Sequence, residues 1–549
     1  MAEAETGDSL THIGRRAFAE TALQRLRLGK GVTVIPEGFC NDCTHLESVR
    51  LQGQVTEIGS WAFEGCGRLK TVTGTEHLRR VGDYAFSDCQ AVTFAFPAQL
   101  EVAGENAFYF CRQLQIGALP QSIKSIGKRA FAYCPGLTEV RLPAGIAVVP
   151  EEAFRATNAK TIVLPEGVER IEAGAFESCK ATAITVPGTV KYIGKQALYS
   201  VLLRDVNFNC LSPVMEDQVL YGSKRLVVQC YLGTTPYQYA KANQIKVELK
   251  QDLPEVIPRH RRLRRGEMNA KRIRNGRRLT ALLLCLLLML SGAPLQALAA
   301  EAQTDVVTCT DPTNADVAIT YDYDTQTLTV SGSGRFSGQV LGADGSTAVN
   351  MLDAFSVSQL VVEEGITAIG PEGATVYSIA DSETNTIYLP DSLTAENFSC
   401  KGASNLSEIR LPAGMHTLRD GMFDGCTWLE TLNMPQGVTE IGKRTFGGCK
   451  SLDVELPPQL ERIGEKAFYR SGIKNAILPD TVRSIGSGAF EQTRSMVSAT
   501  LPTTITAVPE RMFYASYVER VSLPVGLQSI GKAAFFNCMH LTDLQLPEG

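Results

Sequence analysis

Residues 119–137 read LPQSIKSIGKRAFAYCPGL, and close variants of this stretch recur along most of the chain. The Ala-Phe pair inside it, or an equivalent pair, returns every 21 to 24 residues in the first half and every 22 or 23 in the second. The second residues of these pairs are Phe18, Phe39, Phe63, Phe86, Phe108, Phe131, Phe154, Phe176, Leu198, Phe423, Phe446, Phe468, Phe490, Phe513 and Phe535, with Phe398 interpreted as a degenerate member. A sustained period of this length predicts a repeat solenoid whose units stack into a continuous core.

One unit shows the parts expected in each turn. Residues 137–143, LTEVRLP, alternate apolar and polar side chains, which predicts a short strand with one buried face. Pro143 ends this strand because proline cannot donate to a strand ladder, and residues 146–149 form a second short extended piece. We expect Phe154 to point into the solenoid from a one-turn helical corner, and the glycine of each Ile-Gly pair, such as Gly127, to be a turn residue.

The repeated unit resembles the BspA-like class of leucine-rich repeats. The residues that carry the resemblance form the run L-P-x-x-[VI]-x-x-I-G-x-x-A-F-x-x-C-x-x-L, complete at 119–137 and less perfect at 523–541. The resemblance covers about residues 10–250 and 355–549. It implies a mostly β solenoid built from two leucine-rich-repeat arrays. It also implies a surface-exposed or secreted protein, because members of that class are mostly surface-exposed or secreted, and several of them are linked to adhesion.

Fifteen cysteines could indicate disulfides or a metal site, but their spacing favours a structural role. Many follow the repeat phenylalanine by three residues, namely Cys66, Cys89, Cys111, Cys134, Cys179, Cys426, Cys449 and Cys538. Such a ladder predicts buried thiols that pack as small hydrophobic groups. The C-x-x-C motif from Cys40 to Cys43 lacks the second pair that a zinc site needs, and Cys43 falls one residue after the ladder position.

Residues 251–300 interrupt the repeats. Ten Lys or Arg residues lie between Arg259 and Arg278, and eight Leu follow within residues 279–290. A basic stretch, a short apolar run and a small-residue exit are the three parts of a secretory signal. Two interpretations stay open. One is an uncleaved membrane anchor that places residues 1–278 in the cytoplasm and the rest outside. The other is a cleaved signal peptide between two coding units read as one.

These changes in composition divide the chain into two arrays and three connecting parts. Residues 226–242 resemble the strand-plus-small-helix cap of the family, so we expect the first array to close there. The predicted parts are a capped array at 1–250, a basic linker at 251–278, a signal-like or transmembrane segment at 279–300, a β lead-in or capping segment at 301–354, and a second array at 355–549 that is truncated at its end.

The sequence contains no recognisable catalytic, metal-binding or cofactor-binding constellation, so we expect no enzyme activity, no metal and no cofactor. The six histidines are isolated, since no two lie three or four residues apart. The recurring Ile-Gly-Lys lacks the upstream glycine and downstream Ser or Thr of a phosphate-binding loop. A net charge of −5 argues against a nucleic-acid partner, which would need a concentrated basic face.

The function predicted from these observations is binding of a protein or glycan ligand on an extended repeat surface, in an adhesin-like cell-surface or secreted protein. Variable charged positions such as Lys124, Glu139, Arg141 and Arg204 illustrate that surface, but the pattern singles out no anchor residues. The membrane would be a further partner if residues 279–300 stay uncleaved. Alternatives are a structural surface spacer without a specific ligand, or an enzyme with an unrecognised site.

Overall fold

The computed structural model describes residues 3–90, 92–94, 96–114, 119–220, 225–250, 306–341, 348–381, 383–394 and 397–545. Each repeat forms one turn of a solenoid. A turn contains a longer strand, a two-residue strand, and a tight corner that holds the repeat phenylalanine. Strands of successive turns pair in parallel, as Glu139–Arg141 does with Thr161–Val163. The mostly β solenoid predicted from the period is therefore confirmed.

The longer strands make up one face of the solenoid, the long-strand face. In spatial order they are Val306–Asp311, Asn314–Asp322, Thr327–Gly332, Gln359–Val362, Thr386–Tyr388, Glu408–Arg410 and Thr431–Leu432; then Asn475–Ile477, Ser498–Thr500, Arg520–Ser522, Asp543–Gln545, Glu3–Glu5, Arg25–Leu28, Ser48–Leu51, Thr71–Thr73 and Thr93–Phe94; then Glu139–Arg141 and Thr161–Val163; and finally Ala183–Val186, Asp205–Phe208, Val227–Cys230 and Lys246–Leu249.

The two-residue strands make up most of the short-strand face. They are Thr417–Leu418, Glu440–Ile441, Arg462–Ile463 and Ser484–Ile485; Ala507–Val508, Ser529–Ile530 and His12–Ile13; Val34–Ile35, Glu57–Ile58, Arg80–Val81, Val102–Ala103 and Ser125–Ile126; and Val148–Val149, Arg170–Ile171, Tyr192–Ile193 and Val214–Met215. The remaining strand pairs are Gly334–Phe336 with Ile366–Ile369, Gln339–Leu341 with Ala348–Asn350, and Tyr377–Ser378 with Phe398–Ser399. In the described part of the chain, two helices span Thr235–Ala242 and Met351–Ala354.

The glycine of each Ile-Gly pair is required by close backbone approach and also begins the turn predicted there, since the carbonyl of Gly127 accepts from the N–H of Ala130. A Cβ on Gly127 would lie 2.3 Å from the backbone nitrogen of Glu105 in the preceding turn. Gly127 has no left-handed φ, so its conformation alone does not demand glycine. By contrast, a Cβ on Gly145 would meet nothing within 4 Å. The Ile-Gly glycines thus set how tightly successive turns can stack.

The corner is a pair of tight turns, not the predicted single helical turn. Around Phe131, both Arg129 (φ 53°) and Tyr133 (φ 59°) adopt the left-handed conformation. A right-handed helix cannot include such residues, because their φ has the opposite sign. The two left-handed residues turn the chain sharply on either side of the phenylalanine, so its ring enters the core while Arg129 and Tyr133 stay partly exposed.

The phenylalanine rings form a continuous column through the interior. Phe131 is fully buried and stacks on Phe108 (centroids 5.5 Å apart) and on Phe154 (5.8 Å), with ring planes within 7° of parallel. Aromatic pairs of this kind contribute about 0.5–1.5 kcal/mol each beyond the area they bury. Each turn from Phe423 to Phe535 and from Phe18 to Phe176 adds one ring, so the column couples each of these turns to its neighbours.

Two turns place a cysteine where the alignment of the sequence puts phenylalanine. The backbone N–H of Cys40 donates to the carbonyl of Ala62, the bond that Phe63 makes to Ala85 in the next turn, so Cys40 holds the phenylalanine position. Phe39 therefore lies one residue earlier, with its ring edge-on to its neighbours. Likewise Cys400, and not the predicted Phe398, holds this position in the second array.

The cysteine ladder is buried as predicted, and its thiols also donate hydrogen bonds. The Sγ of Cys134 lies 2.9 Å from the carbonyl of Phe108, one turn earlier, and Cys66 makes the same bond to Cys40. Cys43 donates to Phe18, so it occupies the ladder position and does not follow it by one residue. Burial raises the pKa of the Cys134 thiol to about 12, which keeps it protonated and able to donate.

The spatial order of the two arrays is the reverse of their order in the sequence. Asp543–Gln545 pairs in parallel with Glu3–Glu5, and Ser529–Ile530 pairs with His12–Ile13. The second array therefore runs directly into the first, and the nine-stranded sheet of the long-strand face contains strands of both. On the short-strand face, Ser529–Ile530 and His12–Ile13 are direct neighbours at this junction. On the long-strand face, both Asp543–Gln545 and Glu3–Glu5 lie there side by side, so this face has one strand more than the regular alternation.

The two free ends of the solenoid carry distinct capping structures. Residues Val306–Asp311, Asn314–Asp322 and Thr327–Gly332 form an antiparallel meander ahead of the second array. The strand Val227–Cys230 and the helix Thr235–Ala242 cover the last turn of the first array. Among the described residues, no helix is both long and apolar enough to cross a bilayer. The segment at 279–300 lies outside the described residues.

Candidate binding surface

The corners present the side chains best suited to recognition. Side chains two residues before and one or two residues after most repeat phenylalanines are at least partly exposed, and the solenoid aligns them turn by turn into one surface, the corner face. Aromatic and arginine side chains are concentrated there. These residue types dominate the binding energy of protein interfaces, because they bury large areas at low entropic cost and can hydrogen-bond at the same time.

The second array carries the most concentrated part of this face, the basic-aromatic ridge. Tyr469, Tyr514 and Phe536 each follow a repeat phenylalanine directly, and Tyr514 stacks on Phe536 with centroids 5.0 Å apart. Cations lie over these rings. The guanidinium of Arg511 is 3.7 Å from the Tyr514 centroid. The ridge also includes Arg444, Lys466 and Arg470 around Tyr469, and Arg16 of the first array beside Phe536.

Two carboxylates, one buried and one partly exposed, hold part of the ridge in place. Glu491, only 2% exposed, accepts from Arg511 at 2.8 Å, and Asp424 accepts from Arg444 at 2.9 Å. These hydrogen bonds, the largest influence on either guanidinium, raise the pKa of both arginines. Arg470 differs, since its partner is the neutral amide of Gln492 at 2.6 Å. Carboxylates therefore balance the positive charges of Arg444, Lys466 and Arg511. The charge of Arg470 has no carboxylate partner among the described residues.

The first array carries a second cluster of this kind over three successive turns, the aromatic cluster. Tyr109, Phe110 and Tyr133 pack together with ring centroids 5.6–5.9 Å apart. The guanidinium of Arg112 lies 4.4 Å from the Phe110 centroid, and that of Arg155 lies 6.0 Å from Tyr133. All three rings are half-buried, so each keeps one surface available for contact.

An ion network supports the aromatic cluster from below. Glu152 accepts hydrogen bonds from both Arg129 and Arg155, and Arg155 also pairs with Glu177 at 3.0 Å. Burial alone would raise the pKa of Glu152, but the two arginines outweigh it and hold that pKa below its ordinary value. For Glu177 burial prevails, and its pKa is raised. The network keeps Arg155 oriented beside Tyr133.

An acidic stretch separates the two aromatic regions. Glu20, Asp42, Glu64 and Asp88 lie at the corners of successive turns. Burial, followed by the charges of Asp42 and Asp88, raises the pKa of Glu64, while the amide of Asn41 donates to it at 3.1 Å. Burial and Asp42 likewise raise the pKa of Glu20. The described part of the chain contains no cluster of His, Cys, Asp or Glu arranged to hold a metal ion.

The charged positions named from the sequence lie apart from these regions. Glu139 and Arg141 are on the long-strand face and pair with each other at 2.7 Å, and Lys124 pairs with Glu101 at 2.8 Å. Arg204 is exposed ahead of the strand Asp205–Phe208. Pairing satisfies most of these charges within the protein. The prediction from the sequence did not include the corner residues. The repeated occurrence of Tyr directly after the repeat phenylalanine would have indicated them.

Comparison with known families identifies the repeat. A sequence profile described as BspA type leucine rich repeat region matches in six copies over residues 1–93, 80–204, 355–453 and 440–549. Together these ranges cover more than half of the chain. No curated protein sequence matches the chain significantly.

Solved structures of bacterial leucine-rich-repeat proteins are similar at low identity. A leucine-rich repeat protein from Bacteroides ovatus is 16% identical, with 86% of this chain and 83% of that one covered and a TM-score of 0.24. A leucine rich cell surface protein from Faecalibacterium prausnitzii is 14% identical, with coverage of 100% and 88% and a TM-score of 0.24. The pneumococcal vaccine antigen PcpA is 14% identical, with coverage of 77% and 79% and a TM-score of 0.18.

Proposed function

Because the chain belongs to the BspA-type leucine-rich repeat family, we propose that it is a non-enzymatic, adhesin-like protein of the cell surface or secreted space. In this proposal it binds a partner protein through its corner face. The observation that carries the proposal is the basic-aromatic ridge, in which Tyr469, Tyr514 and Phe536 lie beside arginines on three of four successive corners. A solenoid with a purely structural role has no need for such a concentration.

The ridge supports protein binding because its anchors are already ordered. Glu491 and Asp424 fix the guanidinium groups of Arg511 and Arg444, and stacking fixes the tyrosine rings. A partner therefore meets side chains whose rotamer entropy has largely been lost on folding, which lowers the cost of association. A few such anchors surrounded by weaker contacts are the usual distribution of energy in a protein interface.

The test is a binding screen with the purified full chain on an array of purified extracellular and cell-surface proteins. The double variant Tyr469→Ala and Tyr514→Ala removes two ridge anchors. The control, Tyr323→Ala with Tyr388→Ala, removes two tyrosines away from the corner face. We expect at least one partner to be bound by the wild type and the control and lost by the ridge variant. If no protein is bound, or if both variants bind equally, the proposal fails, and a spacer role without a ligand becomes the better explanation.

A further inference from the structure

The basic-aromatic ridge borders a cavity of about 420 Å³ that combines three cations with an unpaired hydroxyl. Its lining residues are Lys450, Arg470, Ser471, Gln492, Arg494 and Ser495, contributed by three consecutive turns. Among the described residues, none of the three cations forms an ion pair with a carboxylate. The cavity therefore brings together three cations that no carboxylate of the described residues neutralises.

A difference in loop length explains the recess. In the turn of Phe468, Ile473 re-enters the core five residues after the phenylalanine. In the turns on either side, Leu452 and Met496 re-enter the core six residues after Phe446 and Phe490. A shorter loop lies between two longer ones, and the cavity is lined by residues from all three.

Ser471 provides the second, independent observation. It occupies the ladder position, where a cysteine would donate to the phenylalanine carbonyl one turn earlier, but its shorter side chain makes no such bond. Its Oγ is shielded from solvent and has no hydrogen-bond partner in the described structure, although Ser471 itself is only 3% exposed. Buried polar groups are nearly always paired, so an unpaired one at the wall of a cavity points to a ligand.

We propose that this cavity is a binding site for an oxyanion group, a sulfate, phosphate or carboxylate, carried by the ligand of this surface. Arg470 and Arg494 supply charged N–H donors, Lys450 supplies an ammonium group, and Ser471, whose hydroxyl has no other partner in the described structure, lies in the wall. Guanidinium groups match the geometry of oxyanions through paired donors. The site deepens the proposed function, on which it rests, by naming the chemical class of the group recognised at the ridge.

The test measures binding of inorganic sulfate and inorganic phosphate to the full chain by calorimetry, at constant ionic strength with chloride as the balancing anion. We expect saturable binding that weakens at least tenfold in the double variant Arg470→Gln and Arg494→Gln. The control Arg483→Gln with Arg520→Gln removes two exposed arginines elsewhere in the same array and should bind like the wild type. Ser471→Ala should weaken binding without lowering the melting temperature, since its hydroxyl stabilises nothing in the free protein.

The outcomes separate this inference from the proposed function. Absence of saturable binding to the wild type, or equal weakening in both double variants, would overturn the oxyanion site. If sulfate or phosphate binds as expected while the protein array shows no partner, the site stands and only the proposed protein-binding function fails. A ranking of sulfate against phosphate then identifies which oxyanion chemistry the cavity prefers.

The junction between the arrays carries a second, independent inference. On the short-strand face and at the corners it repeats the contacts found between turns within an array. The backbone N–H of Phe535 donates to Ala17 at 2.8 Å, as Phe63 donates to Ala85 at 2.8 Å. The N–H of Gly14 donates to Ile530 at 2.6 Å, and the Oγ of Ser9 adds bonds to the carbonyls of Val525 and Leu527, both at 2.9 Å.

From these contacts we infer that the two arrays dock onto each other within one chain and lie on the same side of any membrane. The 55 residues at 251–305 can extend to about 180 Å at most. The solenoid between the outer ends has about twenty turns at roughly 4.8 Å each, or about 100 Å, so the connection can reach. A membrane-spanning segment that placed the arrays in different compartments would break every junction contact.

The test uses the full chain with a specific protease site placed in residues 251–278. After cleavage, we expect the two halves to elute together in gel filtration at the mass of one chain. Gly14→Val should separate them, since a Cβ there would lie 2.3 Å from the backbone nitrogen of Lys532. Gly127→Val is the matched control, with the same 2.3 Å approach inside the first array, and should leave the halves together.

Two results would overturn the docking inference. Halves of the cleaved wild type that elute separately would show that the junction does not hold. An uncleaved chain that elutes at multiples of its own mass would show that the ends meet between copies, in a head-to-tail assembly that need not close. Circular dichroism of the Gly14→Val and Gly127→Val variants before cleavage establishes that both are folded, so that separation reports on the junction.

Discussion

Phe18 and Phe535 stack on each other with ring centroids 5.5 Å apart and planes only 4° from parallel, although 517 positions separate them in the sequence. The geometry matches that of neighbouring phenylalanines inside either array, such as Phe108 and Phe131 at 5.5 Å and 7°. The column of rings thus passes from the second array into the first without a break. This contact turns two sequence repeats into one solenoid.

The first prediction concerns that contact. A double-mutant cycle of Phe18→Leu and Phe535→Leu should show a coupling energy of about 0.5–1.5 kcal/mol, because both rings are fully buried and stacked on each other. Urea unfolding of the four proteins provides the measurement. The cycle Phe108→Leu with Phe131→Leu is the internal reference and should couple to the same degree. A coupling of zero at the junction, beside a normal reference, would contradict the stacked arrangement.

The second prediction concerns the thiol ladder. Cys134→Ala removes a buried donor from the carbonyl of Phe108 and should destabilise the protein by about 1 kcal/mol. Ligand binding should not change, since Cys134 is fully buried. Thermal unfolding and the binding screen measure the two effects. Loss of binding at unchanged stability would show that the thiol has a functional role and that the ladder is not merely structural.

The third prediction separates two kinds of glycine. Gly127→Ala should destabilise the protein by about 2 kcal/mol or more, because its Cβ would lie 2.3 Å from a backbone nitrogen of the preceding turn. Gly145→Ala is the control, since its Cβ would meet nothing within 4 Å. That substitution should be neutral or stabilise by up to about 1 kcal/mol, through a less flexible unfolded chain. Similar unfolding midpoints for the two variants would refute the close-approach explanation.

The fourth prediction is a pair of opposite pH effects. The pKa of Glu64 is raised by burial and by neighbouring carboxylates, so its ionised form disfavours the folded state at neutral pH. Glu64→Gln should therefore stabilise the protein at pH 7 by about 0.5 kcal/mol. The gain should shrink as the pH falls through the raised folded pKa towards the ordinary value of 4.5.

Glu152 should behave in the opposite way. Its folded pKa is lowered by Arg129 and Arg155 despite burial, so its contribution is fully present above the ordinary value of 4.5 and is lost as the pH falls through the lowered folded pKa. Glu152→Gln should cost about 1 kcal/mol at pH 7. Melting temperatures of both variants between pH 7 and pH 3 provide the measurement. Shifts of the same sign at pH 7 would contradict the assigned environments.

Much of this protein could be predicted from the sequence because a solenoid turn interacts mainly with the turns next to it. The 22-residue period, the inward phenylalanines, the buried cysteines and the alternating strand at Glu139–Arg141 follow from local pattern. Each of these features repeats a local rule, so a single sequence contains enough examples of it to identify the rule.

Other features were decided by the tertiary structure alone. Cys40 and Cys400 hold the phenylalanine position because backbone hydrogen bonds between turns set the register, and the side chains adapt to it. The basic-aromatic ridge forms only when residues from separate turns are aligned in space. The order of the two arrays is not encoded in the period either, because the interface between any two turns is nearly the same. Which turn stacks on which is settled only when the open ends of the arrays, at Ile530 and Ile13, meet and exclude water from the core between them.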